Sequence, residues 1–192
     1  AEEKESIYRN IYKKYIKPTK GLVKFLESLK KNGIKHAIAT SAPSKNVNFI
    51  LTKINIKKYF KIIVDATNIR KGKPHPEIYL KTTKKLSFHP SKCIVFEDSI
   101  SGIKAARNAG MKVIAIDTTH LKKELLGLDT LYDYDRYAHL DEDETKVTFA
   151  GNGLWGSAST VTVTGMPSLS LRMSISLIFI LTTKRERSAT VI

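Results

Sequence analysis

A chain of 192 residues is long enough for one ordinary domain with a real core, or for a domain and an appendage. Its 42% hydrophobic content suits a soluble globular protein, and its longest apolar run, near "SISLIFIL", is far short of a membrane span, which argues against a membrane partner. The formal charge of +15 would suit nucleic acid, but the lysines come in scattered doublets (Lys13-Lys14, Lys30-Lys31, Lys57-Lys58, Lys84-Lys85, Lys122-Lys123) with no basic stripe interleaved with aromatics. Solvated helix faces are therefore expected, nucleic acid is not, and a diffuse positive field suits small phosphorylated substrates.

Residues 1–16 are charged and tyrosine-rich, with Ile7, Ile11 and Tyr15 at helical spacing, and Pro18 and Gly21 punctuate them. "GLVKFLESLKKNG" predicts an amphipathic helix with Leu22, Phe25, Leu26 and Leu29 on one face and Gly33 as its C-terminal cap. "IKHAIAT" predicts a strand. "SKNVNFILTKIN" predicts a helix with Ser44 as N-cap. "KIIVDA" predicts a short strand, and "HPEIYLKTTKKLS" a helix opened by Pro76. "CIVFE", "SISGIKAARNAG" and "KVIAID" complete the rhythm as strand, helix and strand. This alternation implies βαβ units, a parallel sheet and covering helices, with a ligand site beyond the carboxyl ends of the strands.

After about residue 128 the composition changes. "LYDYDRYAHLDEDET" is acidic and aromatic, and "GSASTVTVTGMPSLSLRMSISLIFIL" alternates polar and apolar residues in a β-like manner. A small β appendage, a disordered extension and sequence foreign to the domain all remain open readings. Cys93 is the single cysteine, expected as a buried small side chain with no internal disulfide. No signal peptide opens the sequence, so a cytoplasmic location is the default expectation. The five histidines lack ligand spacing, which argues against zinc. His75, between two prolines near Lys73, reads as a loop-surface residue. "GNGLWG" has the dinucleotide pattern, but a β-like stretch follows it where a helix is required, so it reads as a turn.

Several polar residues share one structural address. Thr40 ends one predicted strand, Lys73 sits in the loop "KGKPHP", and Glu97 and Asp98 end another strand. A hydroxyl at a strand end can hydrogen-bond a phosphoryl oxygen, and a lysine offsets its charge. Adjacent carboxylates are unfavourable without a cation and offer hard oxygen ligands to Mg²⁺. Ser44, Lys45 and Asn46 open a helix whose N-terminus suits an anion, with Ser41 just before them. The blander alternative is that Asp98 and Ser99 merely cap the next helix.

In order and spacing, "IATSAPSKN", "KGKPHPEIYL" and "VFEDSISGIKAARNAGM" resemble three motifs of the haloacid dehalogenase superfamily, in its phosphatase and β-phosphoglucomutase-like branch. The resemblance covers about residues 5–128. It implies a three-layer, Rossmann-like α/β core over 19–128 and a remnant of a helical cap and linker over 1–18; the tail over 129–192 stands outside it with no role assigned. It also implies Mg²⁺-dependent phosphoryl transfer from a small phosphorylated metabolite through an aspartyl-phosphate. Thr40 and Lys73 would be catalytic, Glu97 and Asp98 would hold the metal, and Ser41, Ser44, Lys45 and Asn46 would contact substrate. The family's first motif is an Asp-x-Asp ahead of the cap, and the sequence before Thr40 has no such pair. Asp141-Glu142-Asp143 followed by Thr145 has that form, so a permuted strand would make Asp141 the nucleophile and Asp143 the acid/base. A sugar-phosphate mutase, a catalytically incomplete fragment and a non-catalytic binding domain are the alternatives.

Overall fold

The computed structural model describes residues 2–18, 22–115, 120 and 124, and the backbone of three strands at 146–149, 161–164 and 180–182. The elements in chain order are α1 (Glu2–Tyr12), α2 (Leu22–Lys31), β1 (Ile38–Ala39), α3 (Ser44–Lys53), β2 (Ile63–Val64), α4 (Glu77–Leu86), β3 (Cys93–Glu97), α5 (Ile100–Asn108) and β4 (Lys112–Ala115). β5 (Lys146–Phe149), β6 (Val161–Thr164) and β7 (Ile180–Thr182) follow.

β1 pairs with β2 in parallel, and so does β3 with β4. Strand alternation carries the architecture from there. Ile38 of β1 belongs to one buried cluster with Leu26 and Leu29 of α2 and Val47 and Ile50 of α3, whereas Ala39 and the preceding Ala37 belong to another with Ile78 and Tyr79 of α4 and Ala105 and Ala106 of α5. In β3, Ile94 and Phe96 join the first cluster and Cys93 and Val95 the second. Successive side chains of a strand point to opposite faces, so both faces of these strands are buried under helices. The result is the three-layer, Rossmann-like arrangement expected from the sequence.

The helical stripe Leu22, Phe25, Leu26 and Leu29 is buried as its spacing requires. Gly33 has φ +65 and closes α2, with the Ile34 amide bonded back to the Leu29 carbonyl. Three expectations change in detail. The first two strands are shorter than their apolar runs, because the ladder bonds reach only from Ile38 to Thr40 and from Ile62 to Val64. Ser44 is not the N-cap of α3: Pro43 holds that position at φ −63, and the Ser44 hydroxyl donates to Asp65 Oδ2 at 2.6 Å. Pro76 stands at the N-cap of α4, one position before the helical turn predicted for it.

β7 lies antiparallel against β3, pairing Cys93 with Thr182 and Val95 with Ile180, so this sheet carries one antiparallel edge. β5 and β6 form an antiparallel pair, in line with the β-like alternation read over part of the tail. Among the described residues, no helix is long and apolar enough to cross a membrane.

Candidate active site

Thr40 and Glu97 stand at the carboxyl ends of β1 and β3, and the turns after these strands, the loop between β2 and α4, and α1 supply the rest of the candidate site. Thr40 is buried. Its amide completes the ladder to Val64, and its Oγ1 accepts a hydrogen bond from the Ala42 amide at 3.2 Å. The chain then turns into α3. A cavity of about 390 Å³ opens beside Thr40 and Ser41, reaches Lys73 and Ser99, and is walled on its far side by Lys4, Glu5 and Tyr8 of α1.

Lys73 is brought to this edge by a loop pinned from below. Glu77, in the first turn of α4, accepts hydrogen bonds from the Arg70 amide (3.1 Å) and the Lys71 amide (2.9 Å), and pairs with Lys81 at 2.7 Å. The Lys81 ammonium, followed by the two amides, holds the Glu77 carboxyl down at about 2. Asn108 ties the same loop to α5 through the Pro74 carbonyl at 3.0 Å. His75 accepts from the Glu77 amide at 3.2 Å and stays exposed, as expected of a loop-surface residue.

The Lys73 ammonium donates to Glu97 Oε2 at 2.9 Å, with both side chains almost fully enclosed. Tyr79, wholly buried, donates to the same oxygen at 2.6 Å. Burial and the neighbouring Glu97 charge push the Tyr79 phenol far above its ordinary value, so it remains a donor. The other oxygen, Oε1, accepts from the Ser99 amide (3.1 Å) and the Ser99 hydroxyl (2.6 Å). Ser99 in turn caps α5, accepting from the Gly102 amide at 3.1 Å. A buried carboxylate is costly unless every lone pair is answered, and four donors from three residues answer this one. Asp98 follows, also buried.

Of the residues expected at the site, Thr40, Ser41, Asn46 and Lys73 line the cavity, while Glu97 is bonded to Lys73. Ser44, Lys45 and Asn46 are each engaged by protein. Ser44 donates to Asp65, Lys45 pairs with Glu2 at 3.0 Å, and Asn46 bridges Arg9 (2.8 Å) and Glu5 (2.5 Å). Burial works to raise the Asp65 carboxyl, but hydrogen bonds from Ser44 and Thr67 hold it below its ordinary value. Asp141 and Asp143 lie outside the described residues.

Four contributors were not singled out from sequence: Glu77, Tyr79, Tyr8 and Gly102. Glu77 had a visible signal in its i,i+4 spacing to Lys81. Tyr79 and Tyr8 had none, since an aromatic at helical spacing reads as core. Gly102 is explained only by the partner it faces: a Cβ there would come within 2.0 Å of Glu97 Cδ.

The sequence model of the haloacid dehalogenase-like hydrolases matches residues 2–116. A phosphorylated carbohydrates phosphatase of Thermotoga maritima is 38% identical over 113 residues, 59% of this chain and 50% of that protein. A beta-phosphoglucomutase of Bacillus subtilis is 38% identical over 96 residues, 50% of this chain and 42% of that one. The chain thus spans about half the length of the curated relatives it matches. Among solved structures, a HAD hydrolase of family IA, variant 3, from Entamoeba histolytica superposes with a TM-score of 0.63 at 43% identity, covering 67% of this chain and 59% of that one.

Proposed function

The chain belongs to the haloacid dehalogenase-like hydrolases, and we propose that it serves a phosphatase acting on the phosphate monoester of a small metabolite. The observation that carries this reading is the convergence of Thr40 and Lys73 on one cavity at the carboxyl edge of the strands, with Lys73 locked in place by Glu97. The phosphatase similar to this chain adds support.

In this reading the phosphoryl group lies between the Thr40 hydroxyl and the Lys73 ammonium. Thr40 hydrogen-bonds one oxygen, and Lys73 offsets the charge that gathers on the others. The buried Lys73–Glu97 pair needs no reorganisation during the reaction, because Tyr79 and Ser99 already fix the carboxylate. An aspartate oxygen attacks phosphorus while the ester oxygen departs and takes a proton from a second acid. Water then cleaves the acyl phosphate to return the aspartate and release phosphate. Asp141 and Asp143 are this chain's candidates for those two roles.

Mg²⁺ fits the donor set. It prefers one or two carboxylates and takes its other oxygens from phosphate and water. Asp98 would be the ligand. Glu97 beside it, with both oxygens held by protein donors, acts instead through Lys73. When bound, the ion would offset phosphate charge and orient the ester.

Ser44, Lys45 and Asn46 are bonded to Asp65, Glu2, Glu5 and Arg9, so a phosphate bound there would exchange with those partners. The test is hydrolysis of p-nitrophenyl phosphate with and without Mg²⁺, in the unmodified chain and in Lys73→Ala and Thr40→Val. Removing one charge-stabilising donor is expected to lower kcat by about 10²–10³. Metal-dependent turnover that neither variant reduces would refute the assignment. An Asp141→Asn variant with undiminished turnover would remove Asp141 as nucleophile.

A further inference from the structure

β1 and β2 run parallel, as do β3 and β4, and α2, α3, α4 and α5 each lead back to the start of the next strand. The helix-to-strand connections therefore gather at the amino edge of the sheet, opposite the cavity. Lysines fill them. Lys35 stands between α2 and β1, Lys57, Lys58 and Lys61 between α3 and β2, and Lys92 between α4 and β3, while Lys112 opens β4. Acids are kept away: the sequence has no Asp or Glu from residue 28 to 64, from 78 to 96 or from 99 to 116. Cations in the last turn of a helix, such as Lys30 and Lys31 of α2, complement its dipole. Lys35, Lys57, Lys58, Lys61 and Lys92 lie beyond the ends of α2, α3 and α4, so the dipole does not account for them.

The connections form one surface. His36 Nε2 meets the Tyr59 carbonyl at 3.0 Å, which joins the turns into β1 and β2. The Lys35 ammonium lies 5.3 Å from the centre of the Phe88 ring, which joins the turns into β1 and β3. Burial, then the neighbouring Lys92 charge, holds Lys112 below its ordinary value, so the turns into β3 and β4 also adjoin. Lys58 lies 5.4 Å from the centre of the Tyr59 ring. Lysines scattered along the chain are thus neighbours in space, with the half-buried rings of Tyr59 and Phe88 set among them. Glu27 of α2 reaches this face, where it accepts from the Tyr59 hydroxyl at 3.3 Å. Lys35, Lys57, Lys58, Lys61 and Lys92 are all exposed.

We propose that this amino edge is a binding face for the phosphate backbone of nucleic acid, held by lysines without base specificity. Its charges are of one sign, and their summed field attracts a polyanion. Lysines are point charges that meet phosphate oxygens without demanding one geometry, and contacts to phosphate carry no sequence information. An anionic membrane is a weaker match. The large apolar side chains exposed among the described residues are Ile7, Ile11, Tyr15 and Leu80, and none belongs to these connections, so this face has nothing to insert between lipids. No residue of the candidate active site lies on it, and the inference stands apart from the phosphatase reading.

The test is fluorescence anisotropy of a labelled mixed-sequence DNA duplex with the unmodified 192-residue chain, at salt from about 50 to 200 mM. The triple variant Lys35→Gln, Lys58→Gln, Lys61→Gln neutralises the face, and Lys13→Gln, Lys17→Gln, Lys71→Gln removes the same charge from exposed positions elsewhere. Each neutralised phosphate contributes about 0.9 to the slope of log K against log salt, so the face variant should lose about 2.7 of slope and bind about 10²-fold more weakly near 0.1 M salt. The other triple should stay within about threefold of the unmodified chain. Arginine at Lys35, Lys58 and Lys61 retains the charge and should retain binding, which separates lost charge from lost folding. Equal losses in the two glutamine triples, loss in the arginine variant, or no DNA binding at about 50 mM salt overturns the assignment. So does tighter binding to vesicles of phosphatidylserine and phosphatidylcholine than to DNA at the same salt.

Discussion

Replacing Gly102 with alanine puts a Cβ 2.0 Å from Glu97 Cδ and 2.3 Å from each carboxylate oxygen. Ordinary contact between carbons is about 3.5–4.0 Å, so the carboxylate or α5 must move by about 1.5 Å. Neither can do so freely. The carboxylate sits between the Tyr79 hydroxyl at 2.6 Å, the Lys73 ammonium at 2.9 Å and the two Ser99 donors at 2.6 and 3.1 Å. A shift of that size takes at least two of these out of reach. A hydrogen bond to a charged group contributes about 1.5–3 kcal/mol, so the loss is about 3–6 kcal/mol. Alanine returns about 1 kcal/mol through helix propensity. The net expectation is destabilisation by about 2–5 kcal/mol, read as a lower denaturant midpoint at unchanged slope. The same substitution in a Glu97→Ala background has nothing to strike. It should then be neutral, or stabilising by about 1 kcal/mol. A Gly102→Ala protein with the midpoint of the unmodified chain would refute the reasoning. So would a double variant that loses as much again relative to Glu97→Ala.

Two further outcomes are expected. Glu77 is held at about 2 against an ordinary 4.5, so its contribution is fully present above pH 4.5 and is lost as pH falls through about 2. Glu77→Gln should therefore flatten the acid limb of the pH–stability curve in that window, measured by urea unfolding, and an acid limb identical to that of the unmodified chain would contradict the clamp. Burial pushes the Cys93 thiol up to about 11, and its Sγ lies in the core behind β3. Labelling by a disulfide reagent near neutral pH should then follow unfolding in denaturant, and immediate stoichiometric labelling of the native protein would overturn that burial.

The order of elements from Leu22 to Ala115 was written in the sequence, because each segment has an unmixed period. Leu22, Phe25, Leu26 and Leu29 repeat at helical spacing, and "CIVFE" is a short apolar run of strand length. The polar residues of the candidate site were legible for a related reason. Thr40, Glu97 and Asp98 fall at strand ends and Lys73 in the loop that leads into α4, and in a parallel sheet such ends and loops share one edge. What the sequence could not contain is partnership. Nothing in "HPEIYL" says that Tyr79 turns its hydroxyl to a carboxylate from another strand, or that Glu97 spends its oxygens on Lys73, Tyr79 and Ser99. Nor does local spacing say that Ser44, Lys45 and Asn46 meet Asp65, Glu2, Glu5 and Arg9 in space. The antiparallel pairing of β7 with β3 joins residues far apart in the chain, and local periodicity carries no information about such register. Local propensity and pattern determined which elements form. Only tertiary packing decided which hydrogen-bonding groups answer one another, because that depends on distances between segments that no local spacing encodes.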